Sequence, residues 1–191
     1  MTDGEDTDAD LAARAAAGDD PAFGRLMRRH KAALFVFVRR YVGDAQVALD
    51  VVQETFVSAW KALSRYDGRR PFGVWLRAIA LNKCRDLGRR QAVRRLVFAE
   101  RSTDTVEAEA QPDPAPDAEA TLAAHQRRLA LDRAIARLPA NLKGPLLLTY
   151  FDDLSQQQAA DLLGVSVKTV ETRIYRARQK LARMLQDFSA V

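Results

Sequence analysis

Apolar residues recur every three to four positions through two long stretches of this chain, residues 21–98 and 121–188. That spacing places them on one side of an α-helix, and no stretch stands out with the alternating pattern of a β-strand. Residues 99–120 are rich in alanine, proline and acidic residues and poor in core-forming ones, which predicts a flexible linker. The pattern therefore predicts an all-α protein with two small helical domains joined by a flexible acidic linker.

Three local predictions concern the N-terminal segment and the starts of two helices. Residues 1–20 hold seven acidic residues and one basic residue, and we expect them to be a disordered acidic segment. A helix is expected to begin at Asp20-Pro21, where the aspartate can cap and the proline can occupy the first helical position. The pair Gly144-Pro145 lies near the predicted start of a helix, which is expected to be short or kinked.

The second helical stretch contains the most informative local pattern. Ser155 and Gln158 form a capping box at the start of a short helix, and Gly164 suits the left-handed residue that ends it. Ser166 then caps a longer helix with an apolar stripe on one side and a basic side opposite. This pattern predicts a helix-turn-helix, which places its second helix in the DNA major groove. The residues expected on the DNA side or at its edges are Lys168, Thr169, Thr172, Arg173, Tyr175, Arg176 and Gln179. The alternative is an amphipathic helix pair with a solvated basic face.

Charge agrees with a nucleic-acid partner. Residues 21–101 hold eighteen basic and six acidic residues, and residues 122–191 hold eleven basic and six acidic residues. Basic folded blocks of this kind indicate a polyanionic partner.

Several functional classes are disfavoured. The sequence has no P-loop, no pair of acids with catalytic spacing and no His/Cys cluster with metal-ligand spacing. We therefore expect no enzyme, no catalytic residues, no metal and no cofactor. No apolar run approaches the about 20 residues of a membrane span, and the N-terminus lacks a signal-peptide pattern, so we expect a cytoplasmic protein without membrane insertion.

The first helical stretch carries an acidic face between residues 49 and 63. The opposite stripe is expected in the core and comprises Leu49, Val52, Phe56, Ala59, Trp60 and Leu63. The acidic face consists of Asp50, Gln53 and Glu54, with Val57 among them. Within a basic domain such a face suits docking to a basic protein surface. A solvated helix face with one stray valine explains the pattern equally well.

The segment after residue 71 places polar and basic side chains along one side of a helix. An asparagine flanked by arginines, after an Arg-Arg loop, suits single-stranded bases and their phosphates. For Trp75, packing in the core is the alternative and is expected to account for most of its role. The candidate residues for single-stranded DNA are Arg69, Arg70, Trp75, Asn82, Arg85 and Arg89.

Three motifs occur in one order along the chain. They are Asp-x-x-Gln-Glu-x-Phe at 50–56, Trp-Leu-x-x-Ile-Ala-x-Asn at 75–82 and Gly-Val-Ser-Val-Lys-Thr-Val-Glu-Thr-Arg-Ile-Tyr-Arg-Ala-Arg at 164–178. With a spacer between the domains, the chain resembles the extracytoplasmic-function (ECF) sigma factors, the minimal two-domain type of bacterial sigma factor, over roughly residues 20 to 186.

The resemblance implies a function. Residues 21–98 would dock on core RNA polymerase through Asp50, Gln53, Glu54 and nearby residues and capture the melted −10 element. Asn82 and the loop 67–71 match the place where the family reads a flipped-out base. Residues 121–188 would read the −35 element as duplex, and the chain would initiate transcription at chosen promoters.

The resemblance also implies an inhibitory partner, an anti-sigma factor. At Glu171 the chain departs from relatives that have a basic residue, so the −35 sequence does not follow by analogy. A repressor or activator that works without polymerase remains the alternative. It explains the helix-turn-helix but neither the acidic face nor the segment 75–82.

Overall fold

The computed structural model describes residues 6–97 and 118–189, with side chains described for 6–94 and 124–186. Within these ranges the backbone forms eight α-helices and no β-strand, which confirms the all-α prediction. Most of the linker predicted at 99–120 lies outside the described residues. The described chain falls into two compact units, one of residues 6–39 and 45–86 and one of residues 40–44, 87–97 and 118–189.

The helices follow one another with short connections. The first four are α1 (Asp8–Ala16), α2 (Asp20–Val42), α3 (Ala45–Ala62) and α4 (Phe72–Val97), with a 3₁₀ helix at Leu63–Arg65 after α3. The last four are α5 (Ala118–Arg137), α6 (Ala140–Tyr150), α7 (Gln156–Leu163) and α8 (Val167–Ser189). The boundary between the units cuts α4 after Asp86, whereas the predicted first domain extended to residue 98.

The helix α1 corrects the expectation of disorder for residues 6–20, and residues 1–5 lie outside the described residues. Thr7 and Asp10 form a capping box at its start, and Leu11, Ala12 and Ala15 are buried along one side. Asp6 lies 2.6 Å from an Arg25 nitrogen, so its charge is compensated by α2. The sequence suggested a solvated acidic segment because these partners lie in a different helix, which local composition does not reveal.

The helix α2 begins at Asp20, as the sequence predicts, but a different aspartate caps it. The carboxylate of Asp19, not that of Asp20, accepts a hydrogen bond from the Ala22 amide at 3.1 Å and caps α2. The helix α6 begins at Ala140, ahead of Gly144-Pro145, and continues through Pro145 for 11 residues. The Thr149 hydroxyl donates to the Pro145 carbonyl at 2.9 Å within this helix.

The core of the first unit is built from all four of its helices. Leu11, Leu26, Phe56 and Leu76, one from each helix, are at most 3% exposed. On α3 the buried side consists of Ala48, Val51, Val52, Thr55, Phe56 and Ala59. The sequence prediction for this helix was therefore wrong in part, because Leu49 is 44% exposed and Trp60 is 39% exposed.

The second unit contains the predicted helix-turn-helix. The capping box of Ser155 and Gln158 is present, and Gly164 ends α7 with φ at 65°, as expected. Ser166 Oγ accepts the Thr169 amide at 3.2 Å and caps α8. The helix α8 packs against α5, α6 and α7. Its predicted apolar stripe is confirmed at four buried positions, Val170, Ile174, Ala177 and Leu181.

Candidate docking and nucleic-acid interfaces

The exposed side of α3 is a mixed apolar and acidic surface. We call it the α3 outer face, and it comprises Leu49, Asp50, Gln53, Glu54, Val57 and Trp60, all exposed. Val57 is 50% exposed, so three large apolar side chains face solvent on one helix. The Trp60 ring packs edge-on against Phe23 at a centroid distance of 4.8 Å, which fixes its orientation. A Glu54 oxygen lies 3.7 Å from Lys83 Nζ. The Glu54 side chain is nevertheless 61% exposed, so its carboxylate remains largely solvated.

The loop between the 3₁₀ helix and α4, residues 66–71, carries two exposed arginines. Arg69 donates through Nε and Nη2 to the carboxylate of Asp67 at 2.9 and 2.8 Å. This hydrogen bonding lowers the pKa of Asp67 from 3.8 to about 2, and the Arg69 amide bond to the same carboxylate adds to the shift. The Tyr66 hydroxyl donates to the Arg70 carbonyl and spans the loop.

Aromatic rings hold the ends of the 66–71 loop. The Tyr66 ring meets Phe72 at 5.4 Å and Trp75 at 5.0 Å between centroids. Burial raises the pKa of Tyr66, and the nearby charges of Asp8 and Asp67 raise it further. Trp75 is half-buried, and its contacts with Tyr66 and Phe72 show that it packs in a ring cluster.

The polar side of α4 continues away from this cluster. Asn82 and Arg89 are exposed and Arg85 is half-buried. Spacings of three and four residues keep them on one side of the helix. Asn82 lies two helical turns beyond Trp75, about 10 Å along the axis at 1.5 Å per residue. The loop, Trp75, Asn82 and Arg85 therefore follow one another along the first unit, and Arg89 lies on the same side of α4 beyond the unit boundary.

The basic side of α8 is solvated. This α8 outer face comprises exposed Lys168, Tyr175, Arg176 and Gln179 and half-buried Thr169, Thr172 and Arg173. Gln179 Nε2 donates to the Tyr175 hydroxyl at 2.7 Å, so these two polar side chains lie together on the face. Lys168 Nζ lies 3.2 Å from Glu171, so the acidic residue at the edge partners this lysine.

Sequence reasoning missed four features of these surfaces. Leu49 and Trp60 were assigned to the core, and the side chains of Tyr66 and His30 were not singled out. The spacing of Leu49, Val57 and Trp60 with the exposed acids was available as a signal. The Tyr66 and His30 contacts join separate helices, and spacing along one helix does not predict them.

Two further findings concern membrane insertion and metal binding. Within residues 6–97 and 118–189 no helix is long and apolar enough to cross a bilayer. The same residues contain no group of three or more histidine, cysteine or acidic side chains placed to hold a metal ion.

Family models match both units. Residues 26–94 match the model described as Sigma-70 region 2, and residues 128–181 match the model described as Sigma-70, region 4. The α3 outer face and the 66–71 loop lie in the first match, and the second contains α7 and the α8 outer face.

Related proteins of known name span nearly the whole chain. RNA polymerase sigma factor CnrH of Cupriavidus metallidurans is 42% identical over 182 residues, with 95% of each chain covered. The ECF RNA polymerase sigma-E factor of Escherichia coli is 31% identical, with 94% of this chain and 95% of the relative covered.

Two solved structures of sigma factors are similar to this chain in fold. The structure of CnrH in complex with the cytosolic domain of CnrY matches with a TM-score of 0.66 at 36% identity, covering 94% of this chain and 97% of that one. The sigma factor RpoE of Bartonella quintana, solved with the anti-sigma factor NepR, has the same fold, with a TM-score of 0.68 at 20% identity over 86% of this chain and 96% of that one. Two matched regions, full-length relatives and a shared fold show that the chain belongs to the ECF sigma factors of the sigma-70 family, which serve transcription initiation by RNA polymerase.

Proposed function

We propose that this sigma factor docks on core RNA polymerase through the α3 outer face and holds promoter DNA at two places. Residues 21–98 form the polymerase-docking and −10 domain, and residues 121–188 form the −35 domain. The observation that carries the proposal is the α3 outer face, where three exposed apolar side chains alternate with Asp50, Gln53 and Glu54. A DNA-binding regulator that acts without polymerase does not explain such a surface.

The chemistry of the α3 outer face suits a protein partner. A few residues supply most of the binding energy at interfaces, and a packed tryptophan such as Trp60 is among the strongest contributors. Asp50 and Glu54 would repel DNA, but they complement a basic protein surface and would orient the encounter. Polymerase docking is thus assigned to Asp50, Gln53, Glu54 and Val57, and Leu49 and Trp60 join them on structural grounds.

The 66–71 loop and the polar side of α4 suit melted DNA. Arg69, Arg70, Arg85 and Arg89 offer charges for backbone phosphates, and Asn82 offers both a donor and an acceptor for a base edge. Flipping a base out of the stack costs a few kcal/mol, which a pocket beside Trp75 would have to offset. The −10 element is accordingly assigned to the loop arginines, Trp75 and the polar side of α4.

The α8 outer face suits duplex DNA. Lys168 and Arg176 would contact phosphates or guanine edges, and Thr169 and Thr172 are short enough to approach the groove floor. A well-formed bidentate base contact is worth about 1–3 kcal/mol of discrimination. The −35 element is accordingly assigned to Lys168, Thr169, Thr172, Arg173, Tyr175, Arg176 and Gln179.

An anti-sigma protein is proposed as the regulator. The relative CnrH is solved in complex with the cytosolic domain of CnrY, and this chain is 36% identical to that structure's sigma factor. A partner that covers the exposed Leu49, Val57 and Trp60 would remove apolar surface from water and block polymerase docking at once. Purification of the tagged chain from its native cells should recover such a partner in amounts close to stoichiometric. Recovery of polymerase alone would count against it.

The main test is reconstitution of a holoenzyme. Purified chain and core polymerase are mixed, and run-off transcripts from genomic DNA of the source organism are sequenced to define the promoters. The double variant Asp50→Ala/Glu54→Ala should lose core binding in a mobility or anisotropy assay. The charge-matched control Asp20→Ala/Asp161→Ala alters two exposed acids that are not part of the α3 outer face and should bind core normally.

Two outcomes would contradict the proposal. One is the absence of a stable complex between the unaltered chain and core polymerase. The other is tight, sequence-specific duplex binding by the chain alone with no dependence on polymerase. The second outcome would favour a helix-turn-helix regulator instead.

A further inference from the structure

The N-terminal helix α1 lies against the segment that leads into the 66–71 loop. It packs on the 3₁₀ helix Leu63–Arg65, which directly precedes the loop. A Cβ atom added at Gly68 would meet the Ala9 methyl at 3.6 Å, so α1 also approaches the loop itself. The helix is held there by Leu11, which is fully buried, and by the ion pair between Asp6 and Arg25.

Asp8 connects α1 to a histidine on α2. One Asp8 oxygen lies 2.6 Å from His30 Nε2, and the other accepts from Arg29 at 3.1 Å. The side chains of Asp8 and His30 are 30% and 21% exposed, so the pair is partly shielded from water. A hydrogen bond that is partly shielded from water is stronger than one on an open surface.

His30 in turn contacts the residue that closes the loop. Its ring lies 5.2 Å from the Phe72 ring between centroids. A Cβ atom added at Gly73 would be 3.4 Å from His30 Nδ1, so the imidazole also packs against the start of α4. Phe72 contacts Tyr66, which donates to the Arg70 carbonyl on the far side of the loop. A continuous path of contacts thus runs from Asp8 to the loop backbone.

We propose that Asp8 and His30 are positioning residues for the 66–71 loop, which they hold in the shape that receives melted promoter DNA. The inference rests on the proposed −10 function of that loop, and neither residue needs to touch DNA. Asp8 fixes the imidazole, the imidazole supports Phe72, and Phe72 with Tyr66 holds both ends of the loop. Without the pair, the loop samples shapes that do not bind, and the apparent dissociation constant rises in proportion to the lost competent fraction.

The first experiment measures the loop in the free, full-length chain. Hydrogen exchange is followed at the Arg70 amide, which donates to the Asp67 carbonyl at 2.9 Å. Asp8→Asn and His30→Gln should each speed this exchange about three- to tenfold, and the double variant should add little because both break one pair. Exchange in α8 should stay unchanged. His30→Gln leaves the sequence of α1 intact and so separates loop positioning from folding of that helix.

The second experiment measures the effect on DNA. A fluorescent single-stranded oligonucleotide carries the non-template −10 sequence defined by run-off transcription, and it is titrated with holoenzyme. Asp8→Asn and His30→Gln should weaken its binding about three- to tenfold while core affinity stays unchanged. Asp8→Glu, which keeps the charge, should recover part of the affinity. Asp20→Asn is the charge-matched control, since this exposed residue begins α2 away from the pair.

The outcomes separate this inference from the proposed function. If Asp8→Asn and His30→Gln match Asp20→Asn in both exchange and oligonucleotide affinity, the positioning role is overturned while the −10 function stands. If the unaltered holoenzyme fails to bind the oligonucleotide, the −10 function is overturned and the inference falls with it. Faster exchange with unchanged affinity would also overturn the inference, because loop shape would then not limit binding.

Discussion

Asp67 and Arg69 form a two-point hydrogen-bonded ion pair inside the 66–71 loop. Both Nε and Nη2 of the guanidinium donate to the carboxylate, at 2.9 and 2.8 Å. The Arg69 side chain is nevertheless 89% exposed, so its outer edge stays open to a phosphate. The pair therefore holds the arginine in one direction, which would lower the entropic cost of binding DNA in the proposed −10 function.

This pair predicts a pH dependence of loop order. The pKa of Asp67 is about 2 in the folded chain, below the ordinary 3.8. Because the folded pKa is depressed, the stabilisation is fully present above about pH 4 and is lost as the pH falls through about 2. A carbon-13 titration of the Asp67 carboxyl should show the low midpoint. Arg69→Ala should raise the midpoint toward 3.8. A wild-type midpoint already near 3.8 would show that the pair does not persist in solution.

The α3 outer face predicts that a charge introduced at its centre weakens binding to core polymerase. Val57→Asp should weaken core polymerase binding at least about tenfold, because a carboxylate would be desolvated in the middle of an apolar contact. Val57 is 50% exposed in the free chain, so folding should be unaffected. The assay is anisotropy of labelled sigma factor titrated with core polymerase.

A matched valine provides the control for that experiment. Val93 on α4 is 59% exposed, and Val93→Asp should leave core affinity unchanged. Equal loss in both variants would indicate a general charge effect instead of a specific docking contact. Circular dichroism of both variants should match the unaltered chain.

These surfaces differ in how far sequence alone predicted them. The helix-turn-helix was predicted in detail because its determinants are local, with Ser155, Gln158 and Gly164 each acting on neighbouring backbone. The buried side of α3 was only partly predicted. A helical-wheel projection of α3 contains two plausible apolar stripes. Which stripe is buried depends on how other helices pack on α3, and spacing within one helix does not show that.

The helix α1 was missed for the same physical reason. Its acidic residues resemble a solvated segment until Asp6 and Asp8 are placed beside Arg25, Arg29 and His30, about twenty residues away. Composition within a window records the charges but not their partners. The 66–71 loop was found from its arginines, whereas its support by α1 required the fold.

The α8 outer face predicts a change in salt dependence. If Arg176 contacts a phosphate of the −35 duplex, Arg176→Ala should weaken binding across sequences and reduce the slope of log K against log salt by about 1. Holoenzyme binding to a −35 duplex is measured between about 50 and 200 mM salt. Arg178→Ala is the matched control, because this exposed arginine lies toward the edge of the apolar stripe. An unchanged slope in Arg176→Ala, or an equal fall in both variants, would refute the assignment of the face.

Two helix-associated glycines predict opposite effects of the same substitution. Gly88 lies inside α4, and a Cβ atom added there would meet nothing within 4 Å. Gly88→Ala should therefore stabilise the helix by about 0.5–1 kcal/mol, because alanine loses less backbone entropy on folding. Gly164 also has open space around it, but its φ of 65° ends α7 in the left-handed region. Gly164→Ala should cost about 1–2 kcal/mol, because a Cβ atom crowds the following carbonyl there.

Native-state hydrogen exchange separates the two effects within one chain. Amides of α4 should exchange more slowly in Gly88→Ala, and amides of α7 should exchange faster in Gly164→Ala, each by the factor that its free-energy change implies. Because the added methyl group meets no atom of a packed neighbour within 4 Å at either position, the difference isolates backbone conformation from packing. The same sign of change at both positions would contradict the left-handed turn on which the helix-turn-helix depends.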